Sequence, residues 1–135
     1  MSRDRLEERV GIVAEVLGHA LLAAHAHSFS HRGSDGSGKG NIEPADNGLV
    51  RGVVYSLTKQ QSERLHRYEG GYEILQIRVN SYCGEHVWES YTYIASKDVG
   101  ELLPLDFYLA HYLRGMQENR FPQSYIDFIR QQAGR

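Results

Sequence analysis

Glu69 lies four positions after Leu65 and one after Tyr68, in the run Leu65-His66-Arg67-Tyr68-Glu69-Gly70-Gly71-Tyr72. On a helix this spacing puts it on or beside the inward face. Burial disfavours the charged form of a carboxyl group there, and the negative end of the helix dipole in the last turn acts in the same direction. Both effects raise its pKa, and a carboxylate tuned toward the working pH suits general acid or general base work. Gly70 and Gly71 carry no side chains and leave room for a ligand. The same position also fits a purely structural carboxylate, paired with Arg67 or Arg78 or standing in water.

Two other patterns could do chemistry. Gly33, Gly38 and Lys39 have the G-x-x-x-x-G-K spacing of a phosphate-binding loop. Gly40 then stands where Mg²⁺ binding needs Ser or Thr, and Asn41-Ile42-Glu43-Pro44 replaces the required helix, so nucleotide binding is set aside. His19, His25, His27 and His31 invite a metal, since His25 and His27 share one side of a strand. No carboxylate or cysteine at ligand spacing completes a set, so the expectation is no metal.

The elements that must position Glu69 follow from periodicity. Thr58 and Gln61 have the spacing of a capping box, which starts a helix that ends at Gly70-Gly71. Before it, Leu49 to Leu57 is a β-rich run expected as a central strand, with Gly52 where another backbone approaches. After it, Tyr72 to Val79 and Val87 to Ile94 alternate as a hairpin turning around Cys83-Gly84-Glu85. Ser2 caps a short, charged helix to Val10 in which only Leu6 and Val10 share a face. Ile12 to Phe29 predicts two strands or one bent strand. Arg32 to Asp46 is dense in Gly, Ser, Asp, Asn and Pro and predicts a long, flexible loop near the pocket mouth. Leu105, Tyr108, Leu109, Tyr112 and Met116 form one apolar helical face, and Tyr125, Phe128 and Ile129 a second, shorter one.

Composition bounds the remaining choices. The 135 residues (15.4 kDa) suit one domain, and 41% hydrophobic with 24% charged residues is an ordinary globular balance. Fifteen Lys and Arg against 17 Asp and Glu give a net charge of −2 without like-charged blocks, which argues against nucleic acid or a membrane surface as partner. A single cysteine, Cys83, excludes an intrachain disulfide, and the N-terminal residues lack an apolar signal core. A cytoplasmic location is the expectation.

The runs Arg51-Gly52-Val53-Val54-Tyr55-Ser56-Leu57 and Leu65 through Tyr72 resemble the strand and the D-x-x-E-G…Y segment of the γ-glutamylcyclotransferase-like (AIG-type) family. Pro104 through Leu109 and Gly115 through Tyr125 are similar to the family's P-S-x-x-Y…G-A-x-E-x-G-L-P-x-x-Y ending. Asp35-Gly36-Ser37-Gly38-Lys39-Gly40-Asn41 is similar to the D-G-S-G-K-x-N segment of many bacterial members. Together these runs cover nearly the whole chain in the family's order. There are two departures. His66 stands where the family has an acidic residue three before the glutamate. Members also begin with a strand and a Y-G-S-N loop whose N–H groups cradle substrate, whereas this chain opens where the following segment would lie.

The resemblance implies an α+β fold over residues 1–135: a small mixed β-barrel with appended helices, shortened at its N-terminus. It implies conversion of a γ-glutamyl amino acid or γ-glutamylamine to 5-oxoproline and the free amine. Glu69 would be the general acid/base, and Tyr72, Tyr125 and Gly70 would bind the substrate. No cofactor is implied, and the partner is a small γ-glutamyl compound. An open sheet edge would favour a homodimer. The alternative is a non-catalytic binding module that keeps the cavity without the cradle.

Overall fold

The computed structural model describes residues 1–13, 15–95 and 99–135. Along the chain run α1 (Arg3–Val10), β1 (Glu15–Arg32), β2 (Gly38–Ser56), α2 (Lys59–Tyr68), β3 (Tyr72–Ser81), β4 (Val87–Ala95), α3 (Asp106–Glu118) and α4 (Gln123–Gln132). Ala14, inside the stretch expected to form the first strands, lies outside the described residues.

Local chemistry accounts for the two helices nearest Glu69. Ser2 accepts from the Arg5 N–H and starts α1, whose apolar pair Leu6 and Val10 is buried. Thr58 and Gln61 make both bonds of the expected capping box, which fixes where α2 begins and hence where Glu69 falls. Leu6, Val10, Val13 and Leu65 pack into one cluster with Tyr55, Leu57 and Tyr93.

The sheet has the order β2-β1-β3-β4 with every ladder antiparallel. Leu49 to Leu57 therefore belongs to an edge strand, not a central one. β1 and β3 share only Ala20↔Ser81 and Leu21↔Asn80, so two long hairpins are joined by a short ladder. The sheet curls over Ala20, Leu22 and Val79, with Val50, Val54 and Trp88 packed against them. Among the described residues β2 and β4 exchange no ladder bonds, so the α+β fold carries an open, all-antiparallel sheet where a mixed barrel was expected.

The long loop expected over Arg32 to Asp46 is mostly strand. The turn itself is short: Asp35 accepts from the Ser37 N–H and hydroxyl, and Gly36 takes a φ of +81°. The remaining turn-type residues serve packing. Asn41 is buried, donates to Ser30 and accepts from the Ala95 N–H, while Gly38 and Gly40 admit the residues packed against them. The β1–β2 ladder changes register between Ala23 and His25, where Ala24 and Asn47 have positive φ.

Helices α3 and α4 cover this sheet through Phe29, Leu109, Met116, Phe121, Ile126 and Ile129. Phe128 is 46% exposed, so the buried stripe of α4 runs through Ile126, Ile129 and Ala133, not through the expected Phe128. No helix among the described residues is long and apolar enough to cross a membrane.

Candidate active site

Glu69 caps the C-terminus of α2, and its side chain is 13% exposed. The chain leaves through Gly71, whose φ of +85° favours glycine, and the Tyr72 N–H donates to the Glu69 carbonyl at 3.1 Å. Oε1 of Glu69 lies 3.6 Å from Nη1 of Arg9, on the last turn of α1. Its partner is thus Arg9, not Arg67 or Arg78; Arg78 pairs instead with Glu89. Burial raises the Glu69 pKa, and the charges of Arg9 and of the chain's amino terminus act against that rise.

Glu69 stands in the wall of a cavity of about 660 Å³. Consecutive residues of β2, from Val50 to Ser56, and of β4, from Val87 to Tyr93, also line it, so the space is bounded by the two edge strands of the sheet. Tyr125, Tyr112 and His27 complete the wall on the α3 and α4 side. Of the four residues singled out from the sequence, Glu69 and Tyr125 share this cavity, whereas Tyr72 and Gly70 are not part of its wall. Around Gly70 there is open space, since an added Cβ would meet nothing within 4 Å.

Tyr72 is bound to Gly40. Its hydroxyl donates to the Gly40 carbonyl at 2.8 Å, while the Gly40 N–H donates to the Tyr108 hydroxyl at 2.9 Å. A Cβ at residue 40 would overlap the Tyr112 hydroxyl. Three phenols therefore enclose one glycine, and burial raises the pKa of each. Tyr112 meets His27 Nε2 at 3.0 Å, and His27 Nδ1 meets Gln132 Oε1 at 2.8 Å. The amide oxygen only accepts, so Nδ1 carries the proton and Nε2 accepts from Tyr112. Burial pushes His27 down to about 4.

Tyr125 accepts the Arg51 N–H at 3.2 Å, and its own hydroxyl proton has no acceptor among the described residues. The metal-type histidines are dispersed: His27 is in the chain just described, His25 bonds the Ala23 carbonyl, and His31 packs on Tyr72. No three His, Cys, Asp or Glu side chains gather as a cation site among the described residues.

The model of the AIG2-like family matches residues 49–129, which takes in the C-terminal part of β2, Glu69, the β3–β4 hairpin, α3 and most of α4, including Tyr125. The chain belongs to the AIG2-like family. Solved structures share this AIG2-like fold. A protein titled γ-glutamyl cyclotransferase superposes with a TM-score of 0.86 at 20% identity, covering 96% of this chain and 80% of that one. An uncharacterized protein from Homo sapiens gives 0.84 at 20% identity, covering 94% and 79%. YkqA from Bacillus subtilis gives 0.81 at 16% identity, covering 97% of this chain and 48% of its own. No curated protein matches the sequence.

Sequence reasoning missed Arg9, Tyr108, Tyr112 and the role of Gly40. Arg9 gave no signal, because its pairing spans 60 residues of chain. Tyr108 and Tyr112 gave a weak one: two hydroxyls at i and i+4 on a packing face must find partners there.

Proposed function

We propose that this AIG2-like domain is a γ-glutamyl cyclotransferase. The observation that carries the reading is Glu69: a nearly buried carboxylate with a raised pKa, in the wall of a cavity sized for a small molecule. A solved relative titled γ-glutamyl cyclotransferase has the same fold.

In the reaction the substrate's α-amine attacks its own γ-carbonyl. A C–N bond closes the five-membered ring, and the C–N bond to the leaving amine breaks. Because the attack is intramolecular, holding the substrate folded removes much of the entropic barrier. Glu69 takes the proton from the α-ammonium and returns one to the leaving nitrogen, so no water or cofactor is consumed. Tyr125 supports the oxyanion on the γ-carbonyl, since its hydroxyl proton is uncommitted. Tyr72 contributes by fixing Gly40 and the strand beneath the site, its proton being already engaged.

A second reading, a non-catalytic binding module, is favoured by the Arg9–Glu69 pair, which satisfies the carboxylate before any ligand arrives. Incubation with γ-glutamyl amino acids and γ-glutamylamines separates the two. Release of 5-oxoproline supports the enzyme, whereas saturable binding without release supports the module.

A further inference from the structure

Helices α1 and α2 end close together, and three arginines surround the place where they do. Arg9, Arg64, Arg67 and Tyr68 line an open cleft of about 480 Å³, separate from the cavity that holds Glu69. Arg64 reaches across to the end of α1, with Nη1 3.8 Å from where a Cβ on Gly11 would sit. Arg9 lies over the Tyr68 ring at 5.2 Å, and that ring is largely exposed.

Basic side chains often serve a helix C-terminus by bonding its last carbonyls. Here the Gly11 N–H bonds the Glu7 carbonyl at 2.9 Å, and the Glu69 N–H bonds the His66 carbonyl at 3.3 Å. None of the three guanidiniums donates a hydrogen bond among the described residues, and only Arg9 has an ion pair, to Glu69. Against three cations stand that one carboxylate and two helix ends, each worth roughly half a negative charge. The cleft therefore keeps a surplus of positive charge and three unused donor forks. A carboxylate offers two oxygens and is served by one fork, whereas a phosphate group offers three and can engage several.

Arg9 also joins this cleft to the cavity. It lines the cleft, while Glu69, 3.6 Å away, lines the cavity. An anion in the cleft and the Glu69 carboxylate thus draw on the same guanidinium.

We infer that the cleft binds the phosphate group of a small soluble molecule through Arg9, Arg64 and Arg67, and that its occupancy is coupled to Glu69 through the shared Arg9. The site is distinct from the one proposed for γ-glutamyl compounds and stands whether or not the domain is a cyclotransferase.

Isothermal calorimetry with inorganic phosphate, phenyl phosphate and acetate, at one pH and constant ionic strength, tests both parts. Saturable binding of the two phosphates at roughly millimolar Kd or tighter is expected, with acetate much weaker. The exposed pair Arg64→Gln and Arg67→Gln, combined in one chain, should weaken phosphate at least about 10-fold. Glu69→Gln frees Arg9 and should tighten phosphate by about 5-fold, the scale of a modest coupling between sites. In an Arg9→Gln background the same substitution should gain little, since the shared cation is gone. Circular dichroism confirms that each variant is folded. No saturable binding, acetate equal to phosphate, or full binding without Arg64 and Arg67 overturns the site. A Glu69→Gln gain that is absent, or equally large without Arg9, overturns the coupling. Vesicles containing phosphatidic acid supply the same group from a lipid; binding to them without binding to the soluble phosphates overturns the small-molecule assignment.

Discussion

Arg9 and Glu69 meet from the ends of two different helices, with Nη1 3.6 Å from Oε1 and both side chains mostly out of solvent. Arg9 also lies over the Tyr68 ring at 5.2 Å, so its position is set by packing as well as by charge. The pair opposes, without cancelling, the upward push that burial gives Glu69.

That balance fixes the direction of a pH effect. With Arg9 replaced by Gln, burial acts on Glu69 with less opposition and its pKa rises further. The acid limb of kcat/KM for 5-oxoproline release should therefore move to higher pH in Arg9→Gln. A limb that stays in place would separate Glu69 from the titration that limits the rate.

The same shift has a stability consequence. The native pKa of Glu69 is raised above its unfolded value, so the folded state gains relative stability below the unfolded pKa and loses it as pH climbs through the native one. Above the native pKa the ionised carboxylate costs stability, and there Glu69→Gln is expected to melt no lower than the wild type in thermal denaturation. A clearly lower melting temperature would mean that the ion pair stabilises the fold.

How legible was this in the sequence? The α2 start could be read because Thr58 and Gln61 satisfy each other within one turn, and the β3–β4 hairpin because alternation and a Gly84 turn are local. Ser2, Leu6 and Val10 were legible for the same reason. The segment after Arg32 was misread because glycine and asparagine mark turns and close contacts alike. Only the tyrosines of α3, 68 or more residues away, show that Gly40 marks a close contact. The edge position of β2 was likewise hidden, since strand order depends on which hairpins meet.

Gly40 offers a direct check of that contact. Gly40→Ala should destabilise the domain by about 1–3 kcal/mol, the usual cost of overpacking, because the new Cβ overlaps the Tyr112 hydroxyl. In a Tyr112→Phe background the clash is relieved and the added cost of Gly40→Ala should shrink. Urea titrations of the four chains measure this coupling; strict additivity would contradict the packing described.

His27 predicts the acid side of the stability curve. Its native pKa is depressed to about 4, below the ordinary value of 6.5, so its contribution is present above pH 6.5 and is lost as pH falls toward 4. The loss should reach roughly 3 kcal/mol across that window. Urea midpoints followed against pH should show it, and His27→Gln should flatten the profile. An equally steep profile in the variant would assign the effect elsewhere.

The central claim rests on Glu69 and a single product. On whichever γ-glutamyl conjugate the wild-type chain turns over fastest, 5-oxoproline formation should fall by about 10² to 10⁴-fold in Glu69→Gln, with the fold intact by circular dichroism. Turnover in Glu69→Gln within a few-fold of wild type would contradict the assignment of Glu69 as the acid/base of a cyclotransferase.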